Sequence, residues 1–169
     1  MSTFLEHDGA GGVREVQAAT GGGAGSEDQI VATDANGRID ESFLPTGIGA
    51  DTANVIASEA ISAGDLVNIF DDAGQARIRR ANAATAGQEA HGFVKNAVAS
   101  GAVGLVYFEG NNDAVAGLGA AGVRFLSTTT PGATQATAPT DPGNVVQRVG
   151  IATSNTNMNV EFKISVTLA

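Results

Sequence analysis

Two histidines, His7 and His91, are the whole supply of imidazole in the chain, so nucleophilic chemistry of the Ser-His-Asp kind would have to be built on one of them. His7 lies in a glycine-rich stretch where nothing can orient its ring. His91 precedes Gly92 on a predicted strand, with no acid assignable beside it. Carboxylate pairs exist at Glu27-Asp28 and Asp71-Asp72. Adjacent residues on a turn point apart, whereas acid–base work needs two separated groups of different burial. Asp34, Asn36, Asp40 and Glu41 imitate a calcium loop, but its fifth position is Arg38, which repels a cation. Asn111-Asn112-Asp113 reads as a turn cluster. The run Gly21 to Gly25 lacks the Lys-Ser/Thr and helix of a phosphate loop. With no cysteine, thiolate metal sites, thiol nucleophiles and disulfides are excluded. The inventory predicts no enzyme, no cofactor and no metal site.

Elements able to carry anything else must be built from a lean set of side chains. Of 169 residues, 30 are alanine and only 39 are Val, Ile, Leu or Phe. Burial stabilises by roughly 25 cal/mol per Å², so a core this thin leaves little surplus and favours association with further copies. A homotrimer is expected. The net charge of −9 argues against nucleic acid, whose phosphates need a basic stripe. Arg77, Arg79 and Arg80 form the only basic cluster, read as a solvated strand face or an interface contact. Met1 to Asp8 has no apolar signal region, and no run is long enough to span a membrane, so no membrane partner and cytoplasmic synthesis are expected.

From Asn54 onward, short apolar runs alternate with Gly, Asp, Asn and Ser clusters. Strands are predicted over Val55–Ala57, Leu66–Phe70, Ala76–Arg80, Gly92–Val94, Val103–Glu109, Val123–Ser127, Val145–Ala152 and Met158–Leu168. The last is predicted as one continuous strand, with Met158, Val160, Phe162, Ile164, Val166 and Leu168 on its buried face. Helix is expected only over Ala81–Ala86. A displacement of 58 residues places Gly64, Gly74 and Gly92 on Gly122, Gly132 and Gly150, and Val106 on Ile164. This predicts a duplicated module. The fold class is all-β: a small β-barrel or sandwich of two modules, about 54–110 and 111–169, preceded by an extended N-terminal arm.

That arm divides into a flexible Gly-rich part, 1–28, and an extended attachment segment, 29–53. Val13 to Ala19 is read as a helical turn or an added strand. Asp34-Ala35-Asn36-Gly37 predicts a hairpin or bend between Ile30-Val31 and Ile39. Its apolar residues are the candidate interface: Phe4, Leu5, Val13, Val16, Ile30, Val31, Ile39, Phe43, Leu44 and Pro45. Purely solvating tails seldom carry such side chains.

The segment Gln29 to Pro45, with its Asp-x-Asn-Gly-Arg-Ile-Asp turn leading into Leu44-Pro45, resembles a motif of tailed-bacteriophage fibre and head-appendage proteins. The later series Ala63-Gly64-Asp65-Leu66-Val67, Gly74, Arg77 to Ala81 and Gly92-Phe93-Val94 resembles phage capsid decoration (cement) domains. This second resemblance covers roughly 54–169. It implies a trimeric structural protein on the outer capsid surface of a virion, with the major capsid protein and its own copies as partners. A fibre or appendage that binds a host receptor or glycan is the alternative. Sugar-binding tips display clustered aromatics, and Tyr107 is the chain's only tyrosine.

Overall fold

A computed structural model describes residues 3–7, 9–23, 29–35, 37–44 and 50–169. The chain forms two compact units, 1–49 and 50–169, so the boundary lies four residues before the sequence-based one at 53/54. The reason is local: the first strand of the second unit already begins at Thr52.

The first unit is not featureless. Strands β1 (Thr3–His7) and β2 (Val13–Gln17) pair antiparallel, with Phe4 opposite Val16 and Glu6 opposite Arg14. Of the Val13–Ala19 segment, Val13–Gln17 is thus strand, the second of the two readings, and no part is helix. Ala19 then forms a parallel bridge with Val31. Gly22 comes so close to the Ser42 carbonyl that any side chain would collide with it, and its N–H donates to Ser42 Oγ at 2.6 Å. That glycine is therefore required by contact and not only by flexibility. A single 3-10 turn, Glu41–Phe43, follows a bend in which Asp34 accepts the Arg38 N–H at 2.9 Å.

The second unit is all-β. Strands β3 (Thr52–Ala57), β4 (Leu66–Asp72), β5 (Gln75–Arg80), β6 (Gly92–Val94) and β7 (Val103–Tyr107) close into a barrel. Ala73 and Gly74 both have positive φ, the condition for the two-residue hairpin that twists in the same sense as β4 and β5. The barrel shuts through a short parallel contact in which Ile56 and Ala57 face Arg77 and Ile78. Its interior is filled by Val55, Ala57, Ile61, Val67, Ile78, Val94, Val98 and Val106.

Then come β8 (Gly110–Asn112), β9 (Gly122–Leu126), β10 (Thr134–Gln135), β11 (Val145–Val146), β12 (Arg148–Ser154), β13 (Asn157–Val160) and β14 (Val166–Thr167). The sheet order β10-β9-β12-β13-β8 repeats the barrel order β5-β4-β6-β7-β3 strand for strand. β8 starts 58 residues after β3. Gly74 and Gly132 both sit in the hairpin turn of their module with positive φ. Gly92 and Gly150 both sit on the third strand, where the carbonyl of Tyr107 or of Asn159 on the fourth strand leaves no room for a Cβ. Gly64 and Gly122 differ, the one in a turn and the other opening a strand. The match of Val106 to Ile164 fails because the β12–β13 turn is Asn155–Thr156, far shorter than the β6–β7 connection.

The second sheet stays open, with β8 and β10 as its edges. The turn before β4 sits in the seam. Leu66 N–H donates to the Gly132 carbonyl at 2.8 Å and Asn112 Nδ2 donates to the Gly64 carbonyl at 2.9 Å. A Cβ on Gly64 would meet Ala114 O at 2.5 Å, and one on Gly132 would meet the Asp65 carboxyl carbon at 2.7 Å. Between barrel and sheet lies a shared core of Leu66, Phe93, Leu126, Val149, Met158 and Val160, with Ala81, Ala83 and Ala90.

Three further expectations are corrected. Ala81–Ala86 is not helical, because Ala83 N–H donates to the Ser127 carbonyl and its carbonyl accepts from Val145 N–H. Backbone groups spent on neighbouring strands cannot close a helical turn. Gly110–Asn112 is strand, not turn, with Asn112 buried. The run Met158–Leu168 breaks after Val160: Met158 and Val160 are buried, Phe162 is half-buried, and Ile164 is 93% exposed. Its end instead pairs with β11, Val146 opposite Val166.

Candidate interaction surfaces

In the first unit the apolar candidates are mostly on the surface. Leu5 is 71% exposed, and Val13, Ile30, Val31, Ile39 and Leu44 are also exposed. Phe4, Val16 and Phe43 are half-buried, and Pro45 lies outside the described residues. The hairpin brings Phe4 and Val16 together as a cross-strand pair and leaves Leu5 and Val13 on the opposite face. Ala19 is the only buried hydrophobic residue in this unit among the described residues. A two-stranded hairpin without a core is marginal in water. The Arg14–Glu6 ion pair at 2.8 Å adds little, being exposed on both sides.

The second unit has an apolar groove of about 630 Å³ that the sequence reading missed. Ile69, Ala90, Phe108, Phe162 and Ile164 form its apolar wall, and Glu89, His91, Gln147 and Lys163 are among its polar lining. The signal was present in the alternation of Phe162 and Ile164, but it was assigned to a buried face. His91 is an exposed residue, and its Nδ1 accepts the Ile69 N–H at 3.1 Å. The imidazole thus closes a backbone donor of β4 beyond the end of β6. Gln147, between Val146 and Arg148, has a specific job: Oε1 accepts the Ala90 N–H and Nε2 donates to the Ala90 carbonyl, each at 2.8 Å. Tyr107 stacks on Phe93 with ring centroids 5.4 Å apart and lies under Lys95, so its ring is already engaged.

The basic cluster occupies β5. Arg77 pairs with Asp72 at 2.8 Å and Arg80 with Glu59 at 3.2 Å. Burial pushes the Glu59 carboxyl upward, but hydrogen bonds from the Arg80 side chain and N–H outweigh it and hold the group below its ordinary value. Burial raises the Asp65 carboxyl, opposed by the Ser62 N–H. In the calcium-like bend, Asp34 accepts from Arg38 N–H and Asp40 from Ser42, so two of the supposed ligands serve the turn itself. Among the described residues, no group of three or more His, Asp or Glu is placed to hold a metal ion. Comparison with protein-family models, with curated protein sequences and with solved structures finds no match.

Proposed function

We propose that the protein is a structural virion component that decorates and stabilises the outer surface of a phage capsid. It acts as a homotrimer without catalytic activity, and its N-terminal unit is the anchor. One observation carries the anchoring: the first unit holds Leu5, Val13, Ile30, Val31, Ile39 and Leu44 exposed on a scaffold with almost no core. Apolar surface of this kind marks a contact with something else. Extended segments and strand edges bind by adding to a partner's sheet, while alternate side chains enter its pockets. The second unit, by contrast, holds two filled cores. The resemblance of residues 29–45 and 63–94 to phage appendage and decoration proteins supplies the partner, the major capsid protein.

The test mixes undecorated capsids of the parent particle with the full chain and with a truncation beginning at Ala50. The truncation is expected to keep its β-type circular dichroism and to lose capsid occupancy. Occupancy equal to that of the full chain would reject the anchor and move the binding surface to the second unit. For the trimer, sedimentation equilibrium is expected to give three times the 16.8 kDa chain mass. A stable monomer at micromolar concentration would reject it.

A further inference from the structure

Arg79 is held more firmly than a surface arginine needs to be. Its guanidinium lies 4.5 Å over the Phe70 ring, Nε donates to Asn68 Oδ1 at 3.0 Å, and a terminal nitrogen donates to the Gly87 carbonyl at 2.9 Å. Asn68 is itself buried, and its amide donates to the Glu89 carbonyl at 2.7 Å, so the acceptor cannot turn away. All three groups that touch the guanidinium are neutral. Among the described residues no carboxylate lies within ion-pair distance of Arg79, although the chain carries 18 acidic residues against nine Lys and Arg. Its neighbours on β5, Arg77 and Arg80, are both paired. A planar fork of five donors has thus been fixed in place with two in use and no carboxylate in direct contact, Glu59 acting on it only at longer range.

The fork lines a cleft of about 400 Å³ shared with Ser58, Glu59, Phe70, Arg80, Gln88 and Pro131. We propose that this cleft receives a carboxylate, supplied by an acidic side chain of a protein partner and clamped by Arg79. Among the cleft's lining residues, two arginines and one glutamate leave a single positive charge to be matched, with Asp65 outside the lining and acting on Arg80 only at longer range. A monoanion matches it, whereas a doubly charged phosphate would be left facing Glu59. Phe70 and Pro131 offer apolar surface to the stem of a Glu or Asp side chain, and the cleft's volume is near the lower limit for small-molecule sites. The inference depends on the decoration reading only for the partner being a protein. The alternative role, that Arg79 merely ties residue 87 to β4, gives no site for an external anion.

The experiment follows the Arg79 Nε–Hε resonance and the Phe70 and Gly87 backbone amides of the full-length protein by NMR during titration with butyrate, a singly charged carboxylate, at constant ionic strength. The expected result is a saturable shift with a dissociation constant in the millimolar range, the strength of one charge-assisted contact. Arg79→Lys keeps the charge and loses the fork, so it is expected to weaken binding by at least about fivefold. Glu59→Gln removes the resident carboxylate and is expected to tighten binding about three- to tenfold, a distance-limited gain of one charge at partial exposure. A non-saturating shift, or amide shifts that give equal affinity in wild type and Arg79→Lys, would overturn the site. Where Arg79→Lys fails to fold, Glu59→Gln carries the test alone, and unchanged or weaker binding overturns it. Micromolar affinity for butyrate would overturn the assignment to a side chain and make the cleft a small-molecule site. Capsid binding does not enter these readouts, so failure of the decoration reading is separately visible.

Discussion

Gln147 does for Ala90 what a neighbouring strand would do, offering an acceptor to its N–H and a donor to its carbonyl at 2.8 Å each. Both partners are buried. Gln147→Ala therefore leaves two buried backbone groups without a partner at the wall of the groove. It is expected to cost about 2–4 kcal/mol in urea unfolding, from about 1–3 kcal/mol for each unsatisfied group and partial access of water. A loss below about 0.5 kcal/mol, the range of ordinary surface substitutions, would mean that water replaces the amide. Asp65 tests the opposite effect, a group less content in the folded state as an anion. Burial raises its folded pKa, so the stability associated with its protonated form is present in acid and lost as pH rises through that folded value. Asp65→Asn is accordingly expected to be more stable than wild type at neutral pH, with the difference shrinking on acidification. A stability difference that grows toward low pH would contradict this sign.

At the scale of the element, the sequence was most legible where a short apolar run sat between two turn signals. Gly92–Val94 matches the strand residue for residue, whereas Asp71-Asp72, read as lying on a turn, end β4 and the turn is the Ala73-Gly74 pair that follows. Two glycine pairs of the repeat were legible for a physical reason: a turn with positive φ and a strand crossing without room for a Cβ each admit little else. The C-terminal run was misread because perfect alternation states which residues share a face but not how far the sheet extends to cover them. β8 supports β13 only from Gly110 to Asn112, so the strand beyond Val160 has nothing on that side. The candidate surfaces were legible only in part. Apolar residues in a thin arm can be counted, whereas the clamp at Arg79 needs Asn68, Phe70 and Gly87 to meet, which spacing does not reveal. The two phenylalanines put a number on the misreading. Phe93→Ala, at 0% exposure, is expected to cost about 3–5 kcal/mol, and Phe162→Ala, half-buried at the groove, about 1–2 kcal/mol. Equal losses would place Phe162 in the core after all.

For the whole molecule, the division into two units separates two kinds of stability. Residues 1–49 carry eight acidic residues against two arginines, while residues 50–169 carry ten against seven basic. The first unit is thus the more charged for its length and, among its described residues, buries only Ala19 of its hydrophobic side chains, while the second contains the barrel and its partner sheet. Hydrogen exchange of the free protein is expected to reflect this. The β1–β2 amides should exchange within seconds to minutes, and those of β4, β6 and β7 only through global opening. Slow exchange in β1–β2 would show that the hairpin is covered in the free protein, which would count against its being held open for a partner.

The turn lodged in the seam of the second sheet has a consequence for synthesis. Residues 63–65 leave the ribosome long before Gly132 does, so the piece that completes the later module is already part of an earlier one. A chain made from its N-terminus can close the barrel first and present that turn as a template, on which β8 and β10 then settle without pairing with each other. Both modules share one strand order, yet they are unequal: the first can finish itself, and the second is finished by its predecessor.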